Sequence, residues 1–433
     1  MLKAAFYLGL TGIGIIAALF SPLAGAIACI EAYLFNPKAL SFQDWDFRYQ
    51  LCTTVAFIIG LLIHRPRPAE RVNREATILW LVWAFLGVCV LSATWAQVTP
   101  SASLDAASDL AKTVLMATAL LWAIRSESDL SWLMTAFLVG VLHAGLLHTF
   151  GFRLGFLNVV QDRDLGVLIQ GQSQVMAMFV PLLIVMIVSG TRIQRLLAAV
   201  ALPFAMNSIV KSYQRTSFLA LLVDAILLLF FLPRRIVLRL LPVFAVAGGV
   251  FMLRLTPENY WNWIKTIEDP SHESSAASRF TLAQTSWQIF QDYPLGVGYK
   301  NYQYVTPRYL PAEYLTEGRR SSHNSFFTVL CEMGVQGFIP WSGAILTALF
   351  QLRRIRKTSD SQNLRPPEYY ALAIEVGLYA WLVTGLFGDQ SNLDPAYWFL
   401  ALTVVLVRLT QSARNSTEAD NVSAPLEPQA GYA

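Results

Sequence analysis

Residues 77–95, TILWLVWAFLGVCVLSATW, form an apolar run without a single charged side chain. A helix needs about 20 such residues to cross the hydrocarbon core of a bilayer. The run is continuous and lacks the period-two alternation of a barrel strand. It therefore predicts a membrane-spanning helix, and the same criterion can be applied along the rest of the chain.

Eleven further apolar runs meet this criterion or approach it. The first run is broken near Ser21-Pro22, so it forms one kinked span or two short ones. Because its apolar character continues past Ser21 to Phe35, we interpret it as a membrane anchor and not as a cleaved leader. We expect an all-α, polytopic membrane bundle of 12 transmembrane helices, with 13 as the alternative. The runs are 4–35, 49–64, 77–95, 104–124, 128–150, 171–190, 193–210, 215–232, 236–254, 324–352, 369–387 and 395–410.

The composition excludes several classes of protein. Of the 433 residues, 55% are apolar and 14% are charged, whereas about a quarter are charged in a soluble domain. An ordinary soluble enzyme, a disordered chain and a collagen-like chain are therefore excluded. The net charge of +4 is too small to indicate a nucleic-acid partner. The four cysteines and five histidines show neither a CxxC pair nor zinc-ligand spacing, so no metal site is predicted.

Basic residues are distributed unevenly between alternate loops. One set of loops carries 15 of them, and the alternating short loops carry 4. The positive-inside rule places the richer set in the cytoplasm, and both termini with it if the first run crosses once. The richer set is Arg65, Arg67, Arg71, Arg74, Arg125, Arg192, Arg195, Arg234, Arg235, Arg239, Arg353, Arg354, Arg356, Lys357 and Arg365; the poorer set is Arg153, Arg163, Lys211 and Arg215.

Segment 255–323 is the one long loop, and this topology places it on the outer face. Its many aromatic residues argue against disorder, and loops of this length are usually functional. Within it, residues 279–293 predict an amphipathic helix that can lie at the membrane surface, with Phe280, Ala283, Trp287 and Phe290 as its apolar face. The other divisions are 1–254 with transmembrane helices 1 to 9 or 10, 324–411 with the C-terminal transmembrane helices, and 412–433 as a disordered cytoplasmic tail.

Three outer-face segments carry side chains suited to chemistry: 211–217 (KSYQRTS), 278–302, and 319–325 (RRSSHNS). The positive-inside rule disfavours basic residues in short outer loops, so the position of Lys211 and Arg215 on the outer face requires an explanation. Either they reach lipid headgroups, or several Arg and Lys side chains converge on a phosphate or diphosphate.

His323 lies at the predicted boundary between water and membrane. A histidine there is either structural or a base that works near neutral pH. Asn324 either orients a substrate group or caps the following helix, and capping is the expected role of Ser325.

Charged residues also occur inside predicted spans, where they usually face a cavity or a partner. Asp105, Asp109 and Lys112 share one helical face, and Asp224, Glu332 and Glu375 are the other candidates. A transporter would use such residues for ion coupling, whereas a membrane enzyme would use them to fix helices or line a pocket. We expect Glu332 to be a structural partner.

The segment Ser-Ser-His323-Asn-Ser-Phe-Phe-Thr-Val-Leu-Cys-Glu332-Met-Gly334-Val-Gln-Gly337 resembles the signature of the O-antigen ligase superfamily, a His-Asn pair followed by Glu-x-Gly-x-x-Gly. Ser278-Arg279 with Pro294-Leu-Gly296-Val-Gly298 resembles its Arg and Pro-x-Gly-x-Gly segment. Ser212-Tyr-Gln-Arg215-Thr resembles its Ser-x-x-Arg turn. The three segments occur in the family order, whereas Gly171-Gln-Ser-Gln174 stands where relatives often carry an Asn-rich motif.

The resemblance implies a GT-C-like, all-helical membrane glycosyltransferase without a cofactor. Its donor would be an undecaprenyl-diphosphate-linked glycan, and its acceptor lipid A-core, at the periplasmic face of the bacterial inner membrane. By resemblance, His323 is the base on the acceptor hydroxyl, and Arg215 and Arg279 hold the carrier diphosphate without a metal. Second-rank candidates are Lys211, Arg254, Lys265 and Asn324.

Two alternatives stay open. A glycan polymerase or a protein O-oligosaccharyltransferase of the same superfamily would use the same chemistry on another acceptor. A transporter would require an internal repeat or paired broken helices, and neither is visible in the sequence.

Overall fold

The computed structural model describes residues 2–35, 48–64, 77–150, 162–212, 214–250, 274–315, 318–357 and 364–423. Long helices dominate these ranges, and each predicted apolar run coincides with at least one helix. The helices are α1 (Leu2–Phe20), α2 (Pro22–Leu34), α3 (Tyr49–Ile63), α4 (Thr77–Leu91), α5 (Pro100–Ala123), α6 (Glu127–Phe150), α7 (Asp162–Ser189), α8 (Arg192–Lys211), α9 (Arg215–Phe231), α10 (Arg234–Val250), α11 (Ser274–Asp292), α12 (Ser325–Lys357), α13 (Pro366–Gly385) and α14 (Asp394–Ser423).

The prediction of an all-helical polytopic membrane protein is confirmed. Within the described ranges, seven helical segments are long and apolar enough to cross a membrane by length and composition. Three shorter apolar helices, 5–20, 22–34 and 49–63, precede them. The other helices do not meet this criterion, so the total of 12 or 13 spans stays a prediction.

The first apolar run is a hairpin of two helices. Ser21 ends α1 and caps α2, with its hydroxyl accepting from the Ala24 amide at 3.4 Å, and Pro22 opens α2. The helices then pack so closely that a Cβ on Gly14 would lie 3.0 Å from Ala28. Proline forces this break because it cannot extend α1 without losing a hydrogen bond.

This hairpin bears on the expected position of the N-terminus. Near the start of α1, the Tyr7 hydroxyl lies 3.1 Å from Nε2 of His143, in the C-terminal half of α6. A cytoplasmic N-terminus was expected on the condition that the first run crosses the membrane once. The side on which each terminus lies therefore stays a prediction, as does the choice between 12 and 13 spans.

The loops that the sequence assigned to the outer face lie together at one end of the bundle. We call this the site end, and it is formed by residues 92–99, 293–315, 318–324 and 386–393. At the opposite end, Nη1 of Arg408 donates to the Leu121 carbonyl at 2.8 Å, and Arg356 forms an ion pair with Glu375 at 2.9 Å. Of the loops rich in basic residues, those around Arg125 and Arg356, which the structure describes, belong to that opposite end.

Helix α12 contains a break at Gly334, and the site depends on it. Gly334 has φ 65° and ψ −168°, which interrupts the helical hydrogen-bond ladder. The Cys331 carbonyl accepts from the Val297 amide at 2.8 Å, and the Glu332 carbonyl accepts from the Gly298 amide at 2.9 Å. The break therefore turns two helix carbonyls outward as acceptors for a loop.

Glycines allow this loop to approach. Gly296 has φ 86°, and a Cβ there would lie 2.4 Å from the Glu332 carbonyl oxygen. A Cβ on Gly334 would lie 2.5 Å from the Pro294 carbonyl oxygen. Only glycine fits both the left-handed conformation and the close backbone contact. We call this contact between 294–298 and 331–334 the clasp.

Asn301 fastens the loop after the clasp to the turn between α4 and α5. Its buried amide accepts from the Thr99 amide at 2.8 Å and donates to the Ser103 hydroxyl at 2.9 Å. The Ser92 hydroxyl accepts from the Tyr299 amide at 2.9 Å. Residues 297–301 are therefore held from two sides.

The predicted amphipathic helix is present, and its position at the membrane surface stays a prediction. Helix α11 buries Leu282 (2% exposed) and Ile289 (0%), whereas Phe280 (69%) and Trp287 (49%) face outward. The buried face also contains Ser286, whose hydroxyl lies 2.7 Å from that of Tyr302 and whose carbonyl accepts from the Cys331 thiol. Small residues let α11 pack closely on α12, and the bulky aromatic rings are left outside.

The boundary of the C-terminal tail also differs from the expected one. Helix α14 continues to Ser423, whereas a disordered tail was expected from residue 412. The extension contains neither Gly nor Pro until Pro425, so no residue stops the helix before that point.

We expect Gly296→Ala to open the clasp. Backbone strain and the contact with Glu332 together predict a loss of about 2 kcal/mol or more in the free energy of unfolding. Thermal unfolding in detergent measures it. The matched control is Gly318→Ala, which has φ 75° but open space around its Cβ. An equal effect of both substitutions would mean that the clasp contributes nothing beyond backbone strain.

Candidate active site

The segment before α12 is fixed by a helix cap. Oδ1 of Asn324 accepts from the amides of Phe326 and Phe327, at 2.9 and 3.1 Å. Its Nδ2 donates to the Leu386 carbonyl at 3.1 Å. Asn324 is therefore the cap of α12 and a link to the 386–393 loop, and its side chain has a structural role.

Ser325 has a different role from the expected one. Its hydroxyl donates to the Gly388 carbonyl at 2.9 Å and accepts from the Gln390 amide at 2.7 Å. The predicted capping role of Ser325 is wrong, because the adjacent Asn324 already caps the first turn. Ser325 instead ties the start of α12 to the loop between α13 and α14.

His323 stands just before this cap, with its side chain exposed. Its backbone has φ 50°, a left-handed conformation that is uncommon outside glycine. Partial burial of the imidazole, followed by the positive charges of Arg320 and Arg279, lowers the pKa of His323 below 6.5, and Asp389 acts in the opposite direction. The imidazole is therefore mainly neutral at pH 7 and can accept a proton.

Arg279 projects from the first half of α11 towards the same place. Its guanidinium carbon lies 5.6 Å from the centre of the Phe387 ring. Phe387 belongs to the loop that Asn324 and Ser325 hold, so Arg279 and His323 lie around one loop. The structure thus brings together two of the three residues predicted to be central.

Arg215 is placed at the same end by a series of contacts. It is the first residue of α9, directly after Gln214. Oε1 of Gln214 accepts from the Ser173 hydroxyl at 3.0 Å. The next residue of α7, Gln174, has its amide nitrogen 3.5 Å from the point that a Cβ on Gly388 would occupy. The 171–174 segment therefore lies between the Arg215 turn and the loop beside His323.

The second-rank basic candidates separate into two groups. Nζ of Lys211 donates to the carbonyls of Thr149 and His148, at 2.7 and 3.2 Å. A cation at the C-terminal end of α6 is a helix-stabilising arrangement, so the structure gives Lys211 a structural role in place of the expected anion contact. Arg254 and Lys265 lie outside the described residues.

Two charged residues at the site were missed by the sequence analysis. Nζ of Lys300 forms an ion pair with Oδ2 of Asp389 at 3.1 Å, and both side chains are about a quarter exposed. Burial alone would lower the pKa of Lys300, but the charges of Asp389 and Glu332 raise it overall. Asp389 follows a predicted span in a loop without basic residues, and only the fold shows that Lys300 reaches it.

The charged residues inside predicted spans have different surroundings in the described part of the chain. Asp109 and Lys112 pair with each other at 2.7 Å and are largely exposed. The break in α12 leaves carbonyls free, and these bind the clasp loop. Glu332 is buried beside that break, and its role as a structural partner stays a prediction. Among the described residues, no group of three or more His, Cys, Asp and Glu side chains is placed to hold a metal ion.

Comparison with known protein families agrees with this arrangement. Residues 200–342 match the family described as O-antigen ligase. A search of curated proteins gives no match. The matched range contains Arg215, Arg279, both halves of the clasp and His323, whereas Asp389 lies beyond it.

The glycine spacing within the matched range has a physical explanation. Its Pro-x-Gly-x-Gly and Glu-x-Gly-x-x-Gly segments are the two sides of the clasp. The family implies a membrane glycosyltransferase-like enzyme that uses a lipid-linked glycan. The clasp explains how two segments that are 38 residues apart, at Gly296 and Gly334, come to position one site.

The charges around His323 predict the direction in which its titration midpoint is shifted. Its imidazole should be half-protonated below pH 6.5, because Arg320 and Arg279 disfavour a further positive charge. Diethyl pyrocarbonate modifies only neutral imidazole, so the modification rate of His323, followed by mass spectrometry across pH, measures this midpoint. A midpoint clearly above 6.5 would contradict the placement of these arginines.

Proposed function

We propose that the protein is an O-antigen ligase. It transfers O-antigen polysaccharide en bloc from undecaprenyl diphosphate to a sugar hydroxyl of lipid A-core, at the periplasmic face of the inner membrane. The observation that carries the proposal is that His323 and the Arg279 guanidinium lie around one loop, 386–393, in a chain whose residues 200–342 match the O-antigen ligase family.

The proposed reaction is a single displacement at the anomeric carbon. The acceptor oxygen forms a bond to that carbon while its proton passes to the imidazole of His323. The bond from the anomeric carbon to the diphosphate oxygen breaks, and undecaprenyl diphosphate leaves with the electron pair. Arg279 and Arg215 stabilise its negative charge, which is electrostatic catalysis by fixed cations. A guanidinium suits this role because its planar fork binds phosphate oxygens in pairs.

Fixed arginines at the leaving group provide the charge stabilisation that a divalent metal provides in many phosphate-leaving reactions. We therefore propose a metal-independent reaction. The membrane location supports the assignment, because both the donor carrier and lipid A-core are membrane lipids. The site end would lie at the outer surface, since the basic loops around Arg125 and Arg356 lie at the opposite end.

We expect His323→Ala to lose transfer by about a hundredfold or more, with little change in thermal stability, because the side chain is exposed. Purified protein receives undecaprenyl-diphosphate-linked oligosaccharide and lipid A-core, and lipopolysaccharide and released undecaprenyl diphosphate are measured. Addition of EDTA should leave the rate unchanged. Near-wild-type transfer by the variant would exclude His323 as the base.

The product also separates the alternatives. Longer lipid-linked glycan in place of lipopolysaccharide would show a polymerase, and transfer only to a supplied protein would show a protein O-oligosaccharyltransferase. Inhibition by EDTA that added metal restores would contradict the metal-independent mechanism.

Arg279→Ala and Arg215→Ala should each raise the donor KM or lower kcat by about tenfold or more, because each removes a charged contact to the diphosphate. Lysine at either position should restore only part of the loss, since it lacks the bidentate fork. The matched control is Lys211→Met, which removes a cation from the same end but should affect stability alone. Equal kinetics for wild type and both alanine variants would contradict the diphosphate site.

A further inference from the structure

Asp389 lies next to two strained residues. Lys300 (φ 56°) and His323 (φ 50°) are the two non-glycine residues with positive φ in the described part of the chain. A left-handed conformation is unfavourable for such residues, and it persists only where the surroundings enforce it. Lys300 forms an ion pair with Asp389, and the charge of Asp389 acts on His323. Both strained residues therefore interact with one carboxylate.

Both oxygens of Asp389 are engaged. Oδ2 lies 3.1 Å from Nζ of Lys300, and Oδ1 accepts from the Ser391 hydroxyl at 3.1 Å. Lys300 itself follows the clasp directly, so its backbone is held by the contacts of Gly298 and Asn301. The carboxylate thus has a fixed orientation, set by a side chain from a different segment.

The loop that carries Asp389 is also fixed to the start of α12. Asn324 binds the Leu386 carbonyl, and Ser325 binds Gly388 and Gln390, at distances between 2.7 and 3.1 Å. These bonds lie on either side of Asp389 along the chain. The distance from its carboxylate to the segment that bears His323 therefore has little freedom to change.

Opposite charges meet at His323 from three elements. Arg320 acts from its own segment, Arg279 from α11, and Asp389 from the loop between α13 and α14. The two arginines favour the neutral imidazole that can accept a proton. Once the proton has arrived, the same arginines disfavour the imidazolium, and Asp389 is the one group of these three that stabilises it.

We infer that Asp389, held in place by Lys300, is a positioning residue that stabilises the protonated form of His323 during transfer. This inference rests on the proposed function. The acceptor oxygen bonds to the anomeric carbon, its proton goes to the imidazole, and the bond to the diphosphate breaks. Asp389 neither takes the proton nor touches the sugar, and Lys300 limits how much negative charge reaches His323.

The two partners of the ion pair should act on His323 in opposite directions. Asp389→Asn removes a negative charge, so the midpoint of His323 titration should move to lower pH by about half a unit or more. Lys300→Met leaves Asp389 uncompensated, so the midpoint should move to higher pH by about the same amount. The double variant should lie between the two single variants.

The test measures His323 modification by diethyl pyrocarbonate across pH, on the full-length protein purified in detergent. The pH profile of kcat/KM is measured in parallel. Asp389→Asn should also lower kcat by about tenfold, and Asp389→Glu should recover most of it. Asp109→Asn and Lys112→Met are the matched controls, because they remove the same charges from an exposed ion pair and should leave the midpoint unchanged.

Opposite shifts support the inference, because a loss of structure alone would not move the midpoint in two directions. Unchanged midpoints, or shifts in the same direction, would overturn it. If Asp389→Asn does not fold, Lys300→Met and Asp389→Glu decide the matter, through an upward shift for the first and a wild-type midpoint for the second. Modification does not require turnover, so a wild type that shows no transfer would disprove the proposed function separately.

Discussion

The helix break at Gly334 is the constraint on which the rest of the site depends. A regular α12 would use the carbonyls of Cys331 and Glu332 within the helix. The break leaves them to the amides of Val297 and Gly298, at 2.8 and 2.9 Å. These two hydrogen bonds fix the outer loop to a membrane helix, and they explain why glycine is required on both sides of the contact. The residues that follow, 300–302, take their positions from the clasp.

The positions of the charged groups of the site depend on this contact. Lys300 holds Asp389, the loop of Asp389 holds the cap of α12, and His323 stands immediately before that cap. Arg279 reaches the same loop from the adjacent helix. The proposed base and its cations thus come from segments that are distant in sequence, and the loops between them are held by an ion pair and by hydrogen bonds from side chains to the backbone. Such fixed charges stabilise a leaving diphosphate without the reorganisation that water would require.

Much of the fold is predictable from the sequence, because apolar runs of span length leave few alternatives to helices. For the first run, the sequence leaves open one kinked span or two short ones, because the proline in Ser21-Pro22 predicts a break but not the angle after it. The sequence indicates the apolar face of α11, but not the face that packs on α12. Hydrophobic spacing favours Phe280 and Trp287, whereas close packing on α12 selects the small residue Ser286 together with Ile289.

The candidate site was predictable only in part. His323 and Arg279 are visible as polar residues at the ends of apolar segments, and the family resemblance gives them roles. The Lys300–Asp389 ion pair joins residues 89 positions apart, so no local pattern indicates it. The structural role of Lys211 is equally hidden, because the carbonyls that it binds become available only at the end of α6.

A structure of the protein with undecaprenyl diphosphate bound, determined by electron cryo-microscopy, tests the central claim most directly. The account predicts the diphosphate at the site end, in contact with Arg279 and within reach of His323. A diphosphate bound away from both residues, with the clasp intact, would contradict it.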